Sequence, residues 1–245
     1  MSTAARLLLA QAAIADAGHL LVAERFGPTF QGEGPSCGQR AAFVRLSRCN
    51  LRCPPCDTPY TWDWRRFDPR AEAHRESPTE LADWALGLDT ELVVVTGGEP
   101  LLQQQALIPF ATAMVEAGRR VEVETNGTVA PLRDLMAVVA SFNVSPKLRG
   151  FAGPSGRPID AGALTSLVRS GRACFKFVVA SVTELDGVAE LVEAHDLAPV
   201  WIMPCGTDAD QVRDLLRQLA DPVLERRWNL TDRLHVQLWG DQRGR

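Results

Sequence analysis

The sequence has no surplus of positive charge: 26 Lys and Arg stand against 30 Asp and Glu, for a net charge of -4 and a pI near 5.6. It therefore has no basic field of the kind that draws in nucleic acid or an anionic membrane surface, and a small molecule is the expected partner. No stretch approaches the roughly 18 uninterrupted apolar residues that a membrane-spanning helix needs. The apolar segment over residues 5–16 carries one Arg at its start and is interrupted by Gln11 and Asp16, so it reads as a short helix rather than a signal peptide. There is no repeat at solenoid spacing. The six cysteines also lack the pattern of a secreted disulfide framework, since Cys37, Cys174 and Cys205 are scattered and the other three stand together. A reducing cytoplasm is the expected setting. With 46% hydrophobic residues in 245, the chain is long enough for one α/β domain with a substantial core. We expect an N-terminal helix or extension over residues 1–21 and the main domain over 22–245.

The clustered cysteines are Cys49, Cys53 and Cys56, in Arg45-Leu-Ser-Arg-Cys-Asn-Leu-Arg-Cys-Pro-Pro-Cys-Asp-Thr58. Three thiolates on so short a loop can close around one metal centre. Iron–sulfur clusters are normally held by four cysteines, so a set of three leaves one iron open to an outside ligand. The competing reading is zinc with Cys37 as fourth ligand. Structural zinc usually pairs two Cys-x2-Cys hairpins, and no second pair follows here.

Along the chain, Leu20 to Phe26 reads as a first strand leading into a glycine-rich loop, Gly27 to Pro35, that lets backbone approach a ligand. Ala41–Ser47 reads as a buried strand, and the cysteine loop starts where it ends. Residues 57–76 read as irregular. Ser77-Pro-Thr-Glu80 predicts a capped helix start. Glu91–Thr96 is a continuous apolar run, the mark of a parallel strand covered on both faces, and it ends in Gly97-Gly-Glu-Pro100. The pattern of strand, polar loop and helix then repeats. Helices are predicted over 103–118 and 132–140, and strands over 120–125, ending in Asn126-Gly127, and 141–145, ending in Pro146-Lys147. The Gly- and Pro-rich segment 149–158 reads as a surface loop. Beyond it come helices near 160–170, 183–196 and after Asp208, with strands at 173–180, 200–203 and 234–239. The alternation predicts a parallel sheet with helical crossovers, and the polar motifs fall on strand C-terminal ends, so a partial TIM-type barrel is expected.

Cys49/Cys53/Cys56, Gly97-Gly-Glu-Pro100, Glu124-Thr-Asn-Gly127 and Ser145-Pro-Lys147 together resemble the radical S-adenosylmethionine (SAM) superfamily over residues 22–240. Phe30-Gln-Gly-Glu-Gly34, Arg45, Cys56-Asp-Thr58 and Thr96 narrow the resemblance to the 7-carboxy-7-deazaguanine synthase family. The resemblance implies a 4Fe-4S cluster, SAM and Mg2+. It implies that one electron splits SAM into a 5'-deoxyadenosyl radical, which abstracts hydrogen from 6-carboxy-5,6,7,8-tetrahydropterin. Ring contraction and loss of ammonia then give 7-carboxy-7-deazaguanine, a precursor of queuosine. It further implies an electron donor such as flavodoxin or ferredoxin, and a homodimer. The alternatives are a radical SAM activase working on a partner protein, and a non-catalytic metal-binding module.

By the same resemblance, Cys49, Cys53 and Cys56 ligate the cluster and Thr58 ligates Mg2+, a hard cation that takes a hydroxyl oxygen. Pro55, Asp57, Gly98, Glu99, Ser145 and Lys147 fall at SAM-binding positions. Phe30, Gln31, Gly32, Glu33, Arg45, Thr96 and His235 fall at pterin positions. The chemistry suits the ligand: a carboxylate accepts from the guanidine edge of a pterin, and Arg clamps its carboxylate in two places. The sequence departs from the family at Pro55, where an aromatic usually packs on adenine, and in the tail Trp239–Arg245, to which no family role is carried over. Cys37, Cys174 and Cys205 read as ordinary thiols, and Trp62 and Trp64 as cover for the cluster or core filling.

Overall fold

The computed structural model describes residues 18–148, 151 and 159–245. The expected N-terminal helix and nearly all of the loop at 149–158 lie outside the described residues. The sheet begins at Leu20, just ahead of the expected domain boundary.

Among the described residues nine strands form one sheet: β1 (Leu20–Phe30), β2 (Arg40–Leu46), β3 (His74–Glu76), β4 (Leu92–Gly97), β5 (Arg120–Thr125), β6 (Ser141–Val144), β7 (Ala173–Val179), β8 (Val200–Pro204) and β9 (Asn229–Leu230). Their spatial order is β3-β1-β2-β4-β5-β6-β7-β8-β9. β1 runs antiparallel to both neighbours, and from β2 onward every pairing is parallel. This is the expected partial TIM-type barrel, with β3 and β9 at its two open edges. The crossovers are helical, as parallel connections require. They include α1 (Pro69–Glu72), α2 (Pro78–Leu86), α3 (Gln104–Glu116), α4 (Arg133–Val138), α5 (Ala161–Arg169), α6 (Leu185–His195) and α7 (Ala209–Glu225).

Alternation along the strands decides what each face of the sheet does. Val93, Val95, Val121, Val123, Phe142, Val144, Phe175 and Phe177 are buried in one large cluster with Leu81, Leu107, Phe110 and Leu164 from the helices. Truncating a fully buried Phe of this kind costs about 3–5 kcal/mol. On the opposite face Ala41, Phe43, Leu92 and Val94 form a second, small cluster, and beside Val178 and Met203 the cavity is lined by many polar and charged residues. Glu122, Asn143 and Lys176 are buried there. The interior of this barrel is therefore a polar chamber, and the stabilising apolar burial sits between sheet and helices.

Local signals account for the starts of several elements. Ser77 accepts a hydrogen bond from the Glu80 amide at 3.2 Å while the Ser77 amide donates to the Glu80 carboxylate at 2.9 Å, closing the predicted capping box of α2. Asp160 and Asp208 cap α5 and α7 by side chain alone, accepting from the amides of Ala163 and Gln211.

Three expectations change. β1 continues through Gly27 to Phe30, so the glycine-rich loop begins only at Gln31. Residues 57–76 are not all irregular, because His74–Glu76 pairs with β1 as an edge strand. The final segment Leu234–Trp239 is a helix, α8, and not a strand. Its alternating Leu, Val and Leu suggest a strand face, but only Val236 is buried and Leu238 is 49% exposed. β9 already holds the edge beside β8, and the helical turn lets the Leu234 amide donate to the Gly32 carbonyl at 2.9 Å.

Candidate active site

The cysteine loop leaves β2 through Arg48, which adopts φ 80°, a left-handed conformation that is uncommon and costly for a residue with a side chain. The turn is pinned on both sides: the Arg48 amide donates to the Thr61 carbonyl at 2.8 Å, and the Glu99 amide donates to the Arg48 carbonyl at 2.8 Å. Only glycine fits beside it, since a Cβ on Gly98 would meet the Arg48 carbonyl oxygen at 2.0 Å. Gly97-Gly-Glu-Pro100 thus lets β4 end against the start of the cysteine loop.

Cys49, Cys53 and Cys56 are half-buried and line one cavity of about 250 Å3. Their sulfurs receive donors from the protein. The Leu51 amide donates to Cys49 Sγ at 3.4 Å, the Trp62 indole N–H donates to Cys56 Sγ at 3.4 Å, and Thr58 Oγ1 stands 3.7 Å from Cys56 Sγ. Burial pushes the Cys49 thiol up to about 12 and raises that of Cys53, so a metal must displace protons to bind here. Among the described residues the other Cys and His that line this chamber, Cys205 and His235, lie near Arg233. Three sulfur donors together on one loop therefore fit an iron–sulfur cluster with one open iron. Cys37 does not join them; its thiol donates to the Gly32 carbonyl at 3.4 Å.

Every residue singled out as a candidate from the sequence lines this cavity except Glu99. Both Glu99 oxygens face inward: Oε1 accepts from the Leu101 amide and the Thr125 hydroxyl, and Oε2 from the Asn126 amide at 2.7 Å. Glu99 joins the Gly-Gly turn to the Glu124-Thr-Asn-Gly127 loop. Ser145 and Lys147 reach the cavity from the end of β6, with Lys147 Nζ donating to Ser145 Oγ at 2.8 Å. Pro55 lines the cavity without an aromatic ring, and the rings of Trp62 and Phe151 line the same space. Trp64 packs instead against the Arg48 guanidinium, 4.6 Å away.

The same cavity holds a charged network. Lys176 Nζ donates to Glu33 Oε2 and lies 3.8 Å from Glu124 Oε1. Arg233 Nε donates to Glu33 Oε1 at 3.3 Å and Nη2 to Asp57 Oδ2 at 2.7 Å. Gln31 Nε2 donates to Glu124 Oε1 at 3.2 Å. Burial opposes ionisation of Glu33, but Lys176, Arg233 and His235 overcome it and hold the carboxyl far below its usual range. Burial lowers His235 toward the neutral form. Gly32 is the reason the loop and α8 can touch, because a Cβ there would meet His235 Nδ1 at 2.1 Å.

Lys176, Arg233 and Glu124 were not singled out as site residues from the sequence. Lys176 and Glu124 carry a readable cue, a charge inside an apolar strand, the same one that marks Arg45. Arg233 carries none, because its partners lie 176 and 200 residues away.

A profile of the Radical SAM superfamily matches residues 44–146. The chain is 35% identical over 220 residues to a protein of Pyrobaculum aerophilum named 7-carboxy-7-deazaguanine synthase, covering 89% of this chain and 94% of that one. A Bacillus subtilis protein of the same name is 31% identical, covering 91% and 97%. The crystal structure of QueE from Escherichia coli superposes with a TM-score of 0.67 at 25% identity, covering 89% of this chain and 95% of that chain.

Proposed function

Since the chain belongs to the 7-carboxy-7-deazaguanine synthase family of the radical SAM superfamily, we propose a role for each group facing its cavity. The enzyme is a radical SAM carbon–nitrogen lyase of 7-deazapurine biosynthesis that converts 6-carboxy-5,6,7,8-tetrahydropterin to 7-carboxy-7-deazaguanine with loss of ammonia. When bound, the 4Fe-4S cluster and SAM supply the one-electron cleavage that starts the radical reaction.

Cys49, Cys53 and Cys56 hold the cluster. Gly98, Ser145 and Lys147 orient SAM, while Pro55 and Asp57 flank it on the cluster loop. Glu33, ionised by its cationic neighbours, accepts from the guanidine edge of the pterin, and Gln31, Thr96 and His235 complete that pocket. Arg45 takes the pterin carboxylate. Thr58 offers a hydroxyl oxygen to Mg2+. A small reduced redox protein of the flavodoxin or ferredoxin type serves as electron donor, the enzyme works as a homodimer, and the six free thiols suit a cytoplasmic setting. The observation that carries this reading is the convergence of motifs spread from Phe30 to His235 on one cavity. Nothing favours the activase or the non-catalytic module.

Anaerobic reconstitution tests it. The wild type should become brown with iron and sulfide, cleave SAM once reduced and consume the carboxylated pterin, while Cys53→Ala should lose all three. Zinc uptake without iron, or SAM cleavage that leaves the pterin untouched, would overturn the assignment.

A further inference from the structure

Glu24 is absent from the motifs above and does not line the cavity, yet it meets the residue assigned to the substrate carboxylate. Glu24 Oε1 accepts from Arg45 Nε at 2.6 Å, with side-chain exposures of 14% and 18%. A guanidinium has two edges able to grip a carboxylate, Nε with one Nη, and the Nη pair. Glu24 occupies the first. Among the described residues no protein acceptor engages Nη1 or Nη2 of Arg45, and the side chain lines the cavity. We propose that Glu24 is a positioning residue that fixes Arg45 so that only its Nη1/Nη2 edge is presented to the carboxylate of the bound pterin. This rests on the reading of Arg45 given above.

The backbone is shaped for the pairing. Val22 faces Leu46 across β1 and β2, but Glu24 faces Arg45, so one extra residue is inserted between them as a β-bulge. In the unbulged register Glu24 would face Val44, which points into the helix-packed core. The bulge thus transfers a carboxylate from the wrong face to the chamber side. Arg45 also lies beside Thr96 in the parallel register of β2 and β4, and its guanidinium sits 5.9 Å from the ring of Phe26, itself stacked on Phe43. Charge adjacent on one strand and a ring beneath restrict how the guanidinium can turn.

Glu24 does not simply neutralise Arg45. Its Oε1 also accepts from the Tyr60 hydroxyl at 2.6 Å, and its Oε2 from Arg243 Nε at 2.9 Å. Arg243 also pairs with Glu72 at 2.9 Å and lies 3.8 Å over the Tyr60 ring. One carboxylate shared between two guanidinium groups leaves Arg45 with positive charge to spend on an incoming anion. The same contacts give the tail Trp239–Arg245 a role in this sequence: Arg243 supports Glu24 from behind.

The test compares Glu24→Gln, Glu24→Asp and Arg45→Lys in the reconstituted full-length enzyme. KM and kcat are measured with the carboxylated tetrahydropterin, and inhibition constants with a tetrahydropterin lacking the 6-carboxylate. Loss of an oriented, charge-assisted contact is expected to raise KM by ~10-fold in Glu24→Gln, with a smaller change in kcat. Glu24→Asp should recover part of that loss, and the ligand without a carboxylate should bind variant and wild type alike. If Arg45→Lys raises KM while Glu24→Gln does not, the positioning role is refuted and the reading of Arg45 stands. Equal weakening of both ligands in Glu24→Gln would mean a merely structural role and also refute it. If neither variant changes KM, the assignment of Arg45 itself fails, and the proposal with it.

Discussion

Replacing Lys176 by Met should destabilise the protein in a pH-dependent way. Lys176 is 5% exposed on β7 and faces both Glu33 and Glu124. Breaking a buried ion pair by removing one partner costs about 3–5 kcal/mol, because the other charge is stranded. Arg233 still faces Glu33 at 3.3 Å in the variant, which places the expected loss near the lower end, about 3 kcal/mol. With a urea dependence of about 3 kcal/mol per molar for a chain of this size, the unfolding midpoint should fall by ~1 M. The pH dependence follows from the directions of the shifts. Glu33 is depressed from 4.5, so its contribution is complete above that value and fades only as pH falls. Lys176 is raised from 10.5, so its contribution is complete below that value and fades only as pH rises. Between pH 5 and 10 the wild-type pair is thus fully ionised and its contribution flat. In the variant Glu33 loses the cation that does most to hold it ionised and takes up a proton more readily. The gap to wild type should therefore be largest near pH 8 and shrink toward pH 5. Urea denaturation of both proteins at these two pH values decides the matter. A midpoint change under ~0.3 M, or one identical at both pH values, would show that Lys176 is not holding ionised carboxylates in the chamber.

Thr58→Ala should weaken stimulation of turnover by Mg2+ while iron and sulfide content stay at wild-type level; an unchanged Mg2+ titration would remove Thr58 from that role. Trp62→Phe deletes the indole N–H that donates to Cys56 Sγ at 3.4 Å. Because donors to ligating sulfur stabilise the reduced, more negative cluster, the midpoint potential in an EPR-monitored titration should become more negative, and a potential equal to wild type would show that the contact does not survive cluster binding.

The motif residues were legible because each sits where a strand ends and the chain turns, and turns are written locally, in Gly97-Gly98, in Cys56-Asp-Thr58 and in Ser145-Pro-Lys147. The strand and helix alternation was legible because the central strands are short, mostly apolar runs buried on both faces and separated by polar turns and helical patterns. The segment Leu234–Trp239 failed because six residues of alternating Leu, His, Val, Gln, Leu and Trp satisfy a strand pattern and a short helix alike. Its conformation is set by Gly32 and β9, far away in sequence. Glu24 was invisible for a related reason: its partner is fixed by a bulge, and one inserted residue leaves no mark in composition or periodicity.

A polar chamber inside a barrel is expensive unless its charges are paired, and here they are paired across loops far apart in sequence. Glu33 belongs to the loop after β1 and Asp57 to the cysteine loop, and Arg233 binds both, at 3.3 and 2.7 Å. Its third contact, to the Gly206 carbonyl at 2.6 Å, ties the pair to the end of β8. Neither carboxylate can shift without unpairing a guanidinium that is only 6% exposed. The distance between the two halves of the cavity is therefore set by one side chain. Glu24, Lys176 and Arg233 do what the short motifs could not do by themselves, which is to tie together segments from opposite ends of the sequence around one cavity.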